Sequence, residues 1–228
     1  MKKNINIAVV GLGQIGNYLM NELNKKKNDI EHKTGKNINV VAISAKNINK
    51  KRKFRINKKI FYKNPLNIFK QKKIDILFEC IGLSDGISKK IVETALRNKI
   101  HVITPNKALI AKHGDYLSKI AEKKKVNLEF EASVAGGIPI IKSLEQGLSA
   151  NKIESLAGII NGTGNFILTE MKEKNRDFDD VLKEAQALGY AEADPTFDVE
   201  GIDAAQKLAI LAAIAFGTEL QFDKVFTK

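Results

Sequence analysis

Lys207 stands four residues after Asp203, at the start of an almost wholly apolar run from Ile202 to Phe216. Just upstream, Glu192, Asp194, Asp198, Glu200 and Asp203 place five carboxylates within twelve residues. On a helix, a spacing of four puts Asp203 and Lys207 on one face. A lysine held among acids can pass a proton or steady a developing oxyanion. The same spacing also makes a plain ion pair at the edge of a core helix. These residues alone leave both readings open. A second lysine, Lys107, closes the polar turn Thr104-Pro105-Asn106-Lys107 directly after an apolar strand pattern. That is the carboxyl edge at which open α/β sheets hold ligands, so Lys107 is a candidate too. His32, His101 and His113 sit in no acid–base spacing, which leaves proton transfer to lysine or a carboxylate. Cys80 ends the apolar run IDILFEC with no histidine in the next twenty residues. It reads as a buried structural thiol, since reactive thiols need an accessible, electropositive setting.

The sharpest local motif is Gly11-Leu12-Gly13-Gln14-Ile15-Gly16, which follows the strand-like INIAVV and opens an amphipathic stretch from Asn17 to Lys25. The first glycine permits a tight turn, the second lets a pyrophosphate approach the backbone, and the third lets helix and strand pack closely. The helix start presents free amides and the positive end of a dipole to the phosphates. In that strand–turn–helix setting the motif predicts dinucleotide binding. The second strand, at Ile38 to Ser44, should end in the acid that binds the ribose 2′-hydroxyl of NAD. Ser44-Ala45-Lys46-Asn47 stands there instead, with no acid. Ser44 and Lys46 could bind a 2′-phosphate that a carboxylate would repel, which favours NADP over NAD.

The chain has 228 residues, 43% hydrophobic and 28% charged, with a net charge of +12. No apolar run reaches the roughly 18–20 residues a membrane helix needs. The first residues, MKKNINIAVVGLG, flow into the glycine turn and read as a first strand rather than a signal peptide. One cysteine excludes an internal disulfide and suits a reducing cytoplasm. Residues 46–73 hold twelve Lys/Arg and no acid. Such a run can bind nucleic acid, but no nucleic-acid motif accompanies it. A solvated basic face is the plainer account, and we expect neither a nucleic-acid nor a membrane partner. A third reading has the first residues of the run neutralise the 2′-phosphate.

Further strand patterns at Ile74 to Cys80, His101 to Thr104 and Asn127 to Glu131 alternate with helix patterns at Ser84 to Arg97 and Gly114 to Lys124. This rhythm predicts a Rossmann-type, doubly wound parallel sheet over residues 1–149. Glu131-Ala132-Ser133-Val134-Ala135-Gly136-Gly137-Ile138-Pro139 then leads into a helix from Ile140 to Ser149. Its carboxylate and exposed carbonyls suit a hard cation, or only a tight turn. Beyond residue 150 the rhythm changes: a strand at Ile153 to Ile160, a turn at 161–165, helices at Phe166 to Lys174 and Asp177 to Leu188, then the acidic loop and apolar helix. Residues 150–228 are expected to begin an α+β substrate and dimerisation domain.

Taken together, VGLGQIG, VITPNKALIAKHG, FEASVAGGIPII, GIINGTGNFILTEM and LGYAEADPTFDVEGIDAAQKLAILAAIAFG resemble homoserine dehydrogenase across essentially the whole chain. The resemblance implies NAD(P)-dependent interconversion of L-aspartate 4-semialdehyde and L-homoserine, a step towards threonine, methionine and isoleucine. It implies Lys207 as catalytic acid/base, with Lys107 a second lysine facing cofactor and substrate. Glu192 and Asp203 match the carboxylates that hold the substrate, with Asp198 in support. Thr104 and Gly189 match positions near the cofactor. Glu131 and the carbonyls of Val134, Gly136 and Ile138 match a monovalent cation site, usually sodium. The family is usually dimeric through its second domain. Gly164 departs from the Cys or Thr more frequent at that position. The resemblance also implies roughly a hundred further residues beyond Lys228, a usual two-domain size.

Overall fold

Strand β1 (Lys3–Val10) lies at the middle of the sheet, with Ile7, Ala8, Val9 and Val10 each no more than 1% exposed. A strand covered on both faces needs a continuous apolar run, which is what IAVV, Ile7 to Val10, supplies. The computed structural model describes residues 3–70 and 73–227, so Lys72 of the basic run lies outside the described residues. The chain divides into two units, Met1–Ser133 and Val134–Lys228, and the boundary expected at 149/150 falls inside the second.

In the first unit, β1 is joined by β2 (Lys36–Ser44), β3 (Phe61–Tyr62), β4 (Ile76–Glu79), β5 (His101–Ile103) and β6 (Leu128–Glu129). All pairs are parallel, in the order β3-β2-β1-β4-β5-β6. This is the doubly wound arrangement expected, and its switch point lies between the carboxyl ends of β1 and β4, where Val10 pairs with Glu79. Ala8 and Val10 pack on one side with α3 (Ile87–Arg97) and α4 (Lys107–Lys124). Val9 packs with Met20 of α1 (Gln14–Lys25) in a separate cluster. Burying side chains such as Ile91, Leu96, Leu109 and Leu117, all fully buried, contributes about 1.5–3 kcal/mol each. In α3 the buried positions Ile91, Val92, Ala95 and Leu96 follow the helical spacing that the sequence shows.

Two local differences from expectation have physical reasons. A short helix α2 (Lys27–Thr34) with no buried residue intervenes before β2, so no apolar periodicity announced it. Helix α4 begins at Lys107, well before the expected Gly114, because Asn106 caps it: its Oδ1 accepts from the Leu109 amide at 3.1 Å.

The second unit is helical among its described residues. It contains a short turn α5 (Ile140–Lys142) continued by a wider turn at Ser143–Gly147. Then come α6 (Gly162–Lys174), α7 (Phe178–Ala187), α8 (Thr196–Val199) and α9 (Ile202–Phe216). Ile167, Val181, Ala185 and Ala191 form one core of this unit. The strand expected at Ile153 to Ile160 is not formed: no ladder partner is present in this unit among the described residues, and Ile159 is 79% exposed. Alternation in sequence makes a segment able to pair, but a strand needs a neighbour. The turn expected at 161–165 is instead the start of α6, because the Asn161 side chain caps the Gly164 amide at 2.5 Å.

Candidate functional site

Each unit carries one group of polar residues. In the first, Gly11 has φ +89°, and a Cβ there would lie 2.4 Å from the Cys80 carbonyl. At Gly16 a Cβ would come within 1.9 Å of the Gly11 oxygen, so only glycine lets α1 close on the strand. At Gly13 a Cβ would meet nothing within 4 Å, and no side chain caps α1 there. Its first amides, those of Gln14 and Ile15 among them, are therefore left for a ligand. The turn opens on a cleft of about 450 Å³ lined by Gly11, Leu12, Gly13, Ser44, Lys46, Cys80, Ile81 and Leu83 among others. Open backbone, helix start and basic rim suit a dinucleotide phosphate.

Ser44 is buried and its carbonyl accepts from the Gly11 amide at 2.9 Å, which ties the end of β2 to the glycine turn. Lys46 lies on the rim with Lys50, Arg52 and Lys63. Arg52 donates to the carbonyls of Asn47 (2.7 Å), Ile48 (3.1 Å) and Lys50 (2.8 Å), folding that loop around its guanidinium. Part of the basic run therefore faces the cleft, while its Phe54, Ile56, Ile60 and Phe61 pack on the sheet. A solvated face describes only some of it.

Cys80 lines the same cleft, and burial, aided by the Glu79 charge, pushes its thiol up to about 12. That supports an inert thiol. Thr104 is 1% exposed, and its hydroxyl donates to Glu79 Oε2 at 2.6 Å rather than reaching out of the turn. Lys107 follows as the first residue of α4. A cation there opposes the helix dipole, at a cost of about 0.3–1 kcal/mol. Helix formation alone gives no reason for it. His101 Nδ1 accepts from the Asn127 amide at 3.0 Å, a structural role. His113 does have a partner, Asp85 at 2.8 Å, contrary to the sequence reading; the two are far apart in the chain and meet only on folding.

In the second unit, Lys207 Nζ lies 2.7 Å from Asp203 Oδ2 and donates to the Ile160 carbonyl at 2.8 Å. Asp203 is 7% exposed. Asn161 Nδ2 donates to Asp203 Oδ2 at 3.0 Å and to Asp198 Oδ1 at 2.7 Å. Lys207, Asp203 and Asp198 are thus brought together by a residue that sequence reasoning missed. The available signal was an asparagine that could cap a helix, hidden because the helix pattern reads as starting at Phe166 whereas the helix starts at Gly162. Glu192 is exposed, and its carbonyl accepts from Gln186 at 3.1 Å. Asp194 accepts from the Thr196 hydroxyl and amide, which hold its carboxyl below the usual range and commit it to the start of α8. Gly189 has φ +78° just past α7, a helix-ending position.

Of the cation candidates, Glu131 belongs to the turn Glu131–Ser133 that ends the first unit. The Ser133 hydroxyl beside it is buried without a hydrogen-bond partner, a hard oxygen that an ion could satisfy. Val134 is buried, Gly136 and Ile138 are exposed, and the Ile138 carbonyl accepts from the Ile140 amide at 2.9 Å.

A family model described as the NAD binding domain of homoserine dehydrogenase matches residues 11–131, more than half of the chain. The chain belongs to the homoserine dehydrogenase family. A second homoserine dehydrogenase model matches residues 139–228. The homoserine dehydrogenase of Pseudomonas aeruginosa is 51% identical over 99% of this chain and 51% of its own length. The crystal structure of a homoserine dehydrogenase from Thiobacillus denitrificans superposes with TM-score 0.89 at 47% identity, over 99% of this chain and 52% of that one. A hyperthermophilic archaeal homoserine dehydrogenase mutant in complex with NADPH superposes with TM-score 0.80 at 26% identity, over 98% of this chain and 75% of that one. The chain spans about half the length of the curated homoserine dehydrogenases it matches.

Proposed function

We propose that the chain is the cofactor-binding and acid–base portion of an NADP-dependent homoserine dehydrogenase, interconverting L-aspartate 4-semialdehyde and L-homoserine on the way to threonine, methionine and isoleucine. The observation that carries the cofactor choice is the rim of the first unit's cleft, where Lys46, Lys50, Arg52 and Lys63 gather and no acid follows β2. A relative of the same fold is known in complex with NADPH, which supports that choice.

Bound in the cleft, the nicotinamide supplies or accepts the hydride. Gly11, Gly13, Gln14, Ile15 and Gly16 receive the pyrophosphate, while Ser44 and Lys46 face the 2′-phosphate. Lys107 and Gly189 act on the cofactor side, and Thr104 serves that side from within the turn, through its bond to Glu79. As negative charge builds on the aldehyde oxygen, the Lys207 ammonium stabilises it and delivers the proton; in the other direction Lys207 takes the proton back. Asp203 keeps Lys207 in place and, with Glu192 and Asp198, holds the ammonium and hydroxyl ends of the substrate. Glu131 and the carbonyls of Val134, Gly136 and Ile138 hold a monovalent cation, for which an all-oxygen donor set is suited. We place the enzyme in the cytoplasm as a homodimer.

The test is NADPH oxidation with L-aspartate 4-semialdehyde, run beside NADH. Preference for NADPH supports the reading. A preference for NADH overturns the cofactor choice, and cofactor binding with no turnover on this aldehyde overturns the substrate.

A further inference from the structure

Glu79 ends β4 at the switch point with its side chain fully buried. Four donors converge on it. The amides of Ile81 and Gly82 donate to Oε1 at 2.8 and 3.4 Å. The Thr104 hydroxyl at 2.6 Å and the Asn106 side-chain amide at 3.4 Å donate to Oε2. The Thr104 oxygen itself accepts from the Asn106 backbone amide at 3.0 Å, so its own proton is committed to Glu79. Asn106 completes the knot: Nδ2 donates to the Leu83 carbonyl at 2.8 Å, and Oδ1 caps α4.

Two loops meet at this one carboxylate. Ile81 and Leu83 form part of the wall of the cleft. Thr104 and Asn106 form the turn from which α4 starts at Lys107. We propose that Glu79 is a positioning residue: by accepting from both loops at once, its carboxylate sets the cleft wall and the start of the Lys107 helix in a single register. The proposal rests on the cofactor reading above. A carboxylate suits the task because both its oxygens only accept. Glutamine has the same shape, but its NH2 must face either two backbone amides or the committed Thr104 hydroxyl and the Asn106 amide. One loop is then released whichever way the amide turns.

The experiment is fluorescence titration of NADPH, with thermal melts, on the wild-type chain and on Glu79→Gln, Thr104→Val, Thr104→Ser and the Glu79→Gln/Thr104→Val double variant. Leaving a buried donor unmatched should weaken NADPH binding by the folded protein about tenfold in Glu79→Gln and in Thr104→Val, while Thr104→Ser, which keeps the hydroxyl, stays within about twofold. The double variant should bind no more weakly than Glu79→Gln alone, since both break one contact; a separate contact from Thr104 to the cofactor would add instead. A purely structural role would lower the melting temperature and leave the affinity of the folded protein unchanged, and that result overturns the proposal. Should Glu79→Gln fail to fold, equal NADPH affinity of Thr104→Val and Thr104→Ser overturns it as well. No NADPH binding by the wild-type chain overturns the cofactor reading and this proposal together, which separates the two failures.

Discussion

Asp203 Oδ2 is shared between Lys207 Nζ at 2.7 Å and Asn161 Nδ2 at 3.0 Å, so an ion pair on one helix is fixed by the cap of another. Lys207 spends a second donor on the Ile160 carbonyl at 2.8 Å. An ammonium has three donors, which leaves one for a substrate oxygen. Asn161→Ala removes the α6 cap and the bridge to Asp198 together. It should cost about 0.5–2 kcal/mol of stability, read from urea midpoints. It should also raise KM for homoserine, because Asp198 and Asp203 lose their common donor. An unchanged KM would contradict the role given to this bridge.

The glycine turn makes a steric prediction. Gly16→Ala would press a methyl to 1.9 Å from the Gly11 oxygen, whereas Gly35, at φ +66°, has open space around it. Gly35→Ala should cost about 1–2 kcal/mol for its left-handed backbone alone. Gly16→Ala should cost clearly more, as overpacking against backbone does, and weaken NADPH binding besides. Chemical denaturation of both variants checks the order.

Cys80 gives a chemical test. With its thiol pushed up to about 12, little thiolate is present at pH 8. Alkylation in the native chain should run on the order of a thousandfold slower than for an ordinary thiol, and recover in urea. Rapid native labelling that bound NADPH does not slow would contradict a half-buried thiol beside the cleft.

These tests also mark what the sequence could and could not disclose. The glycine turn was legible because its chemistry is local: three positions without a side chain, between a strand pattern and a helix pattern. The parallel sheet was legible because strands buried on both faces read as unbroken apolar runs. Asn161, Glu79 and the Asp85–His113 pair were not, since each acts through partners distant in the chain. Polar contacts of that kind leave no periodicity. Ile153 to Ile160 failed in the opposite sense, having the pattern of a strand but no neighbouring strand in its unit among the described residues. Lys107 and Lys207 could be suspected from position, yet only the folded cluster shows what holds Lys207.

Asp85 is one contributor to the acid limb. It accepts from Lys112 at 2.7 Å, His113 at 2.8 Å and Ser84 at 2.9 Å, and these donors, Lys112 foremost, hold its carboxyl well below the usual carboxylate range. A depressed folded-state value gives stabilisation that is present above the unfolded value of about 3.9 and is lost as pH falls through the folded one. Asp85→Asn should therefore flatten the fall in urea midpoint below about pH 4. The site is solvent-screened, so the change is small. Identical acid limbs in the two proteins would contradict the assignment.

In the function proposed, Lys207 moves the proton while the first unit's cleft holds the cofactor. Lys207→Ala separates the two, because a general acid–base group accounts for about 10²–10⁴ in rate and the substitution leaves the glycine turn unchanged. The measurement is homoserine-dependent NADP reduction paired with NADPH titration of the same samples. Loss of turnover on that scale with NADPH affinity unchanged is the expected result. Wild-type kcat in the Lys207→Ala variant would rule out Lys207 as the proton carrier.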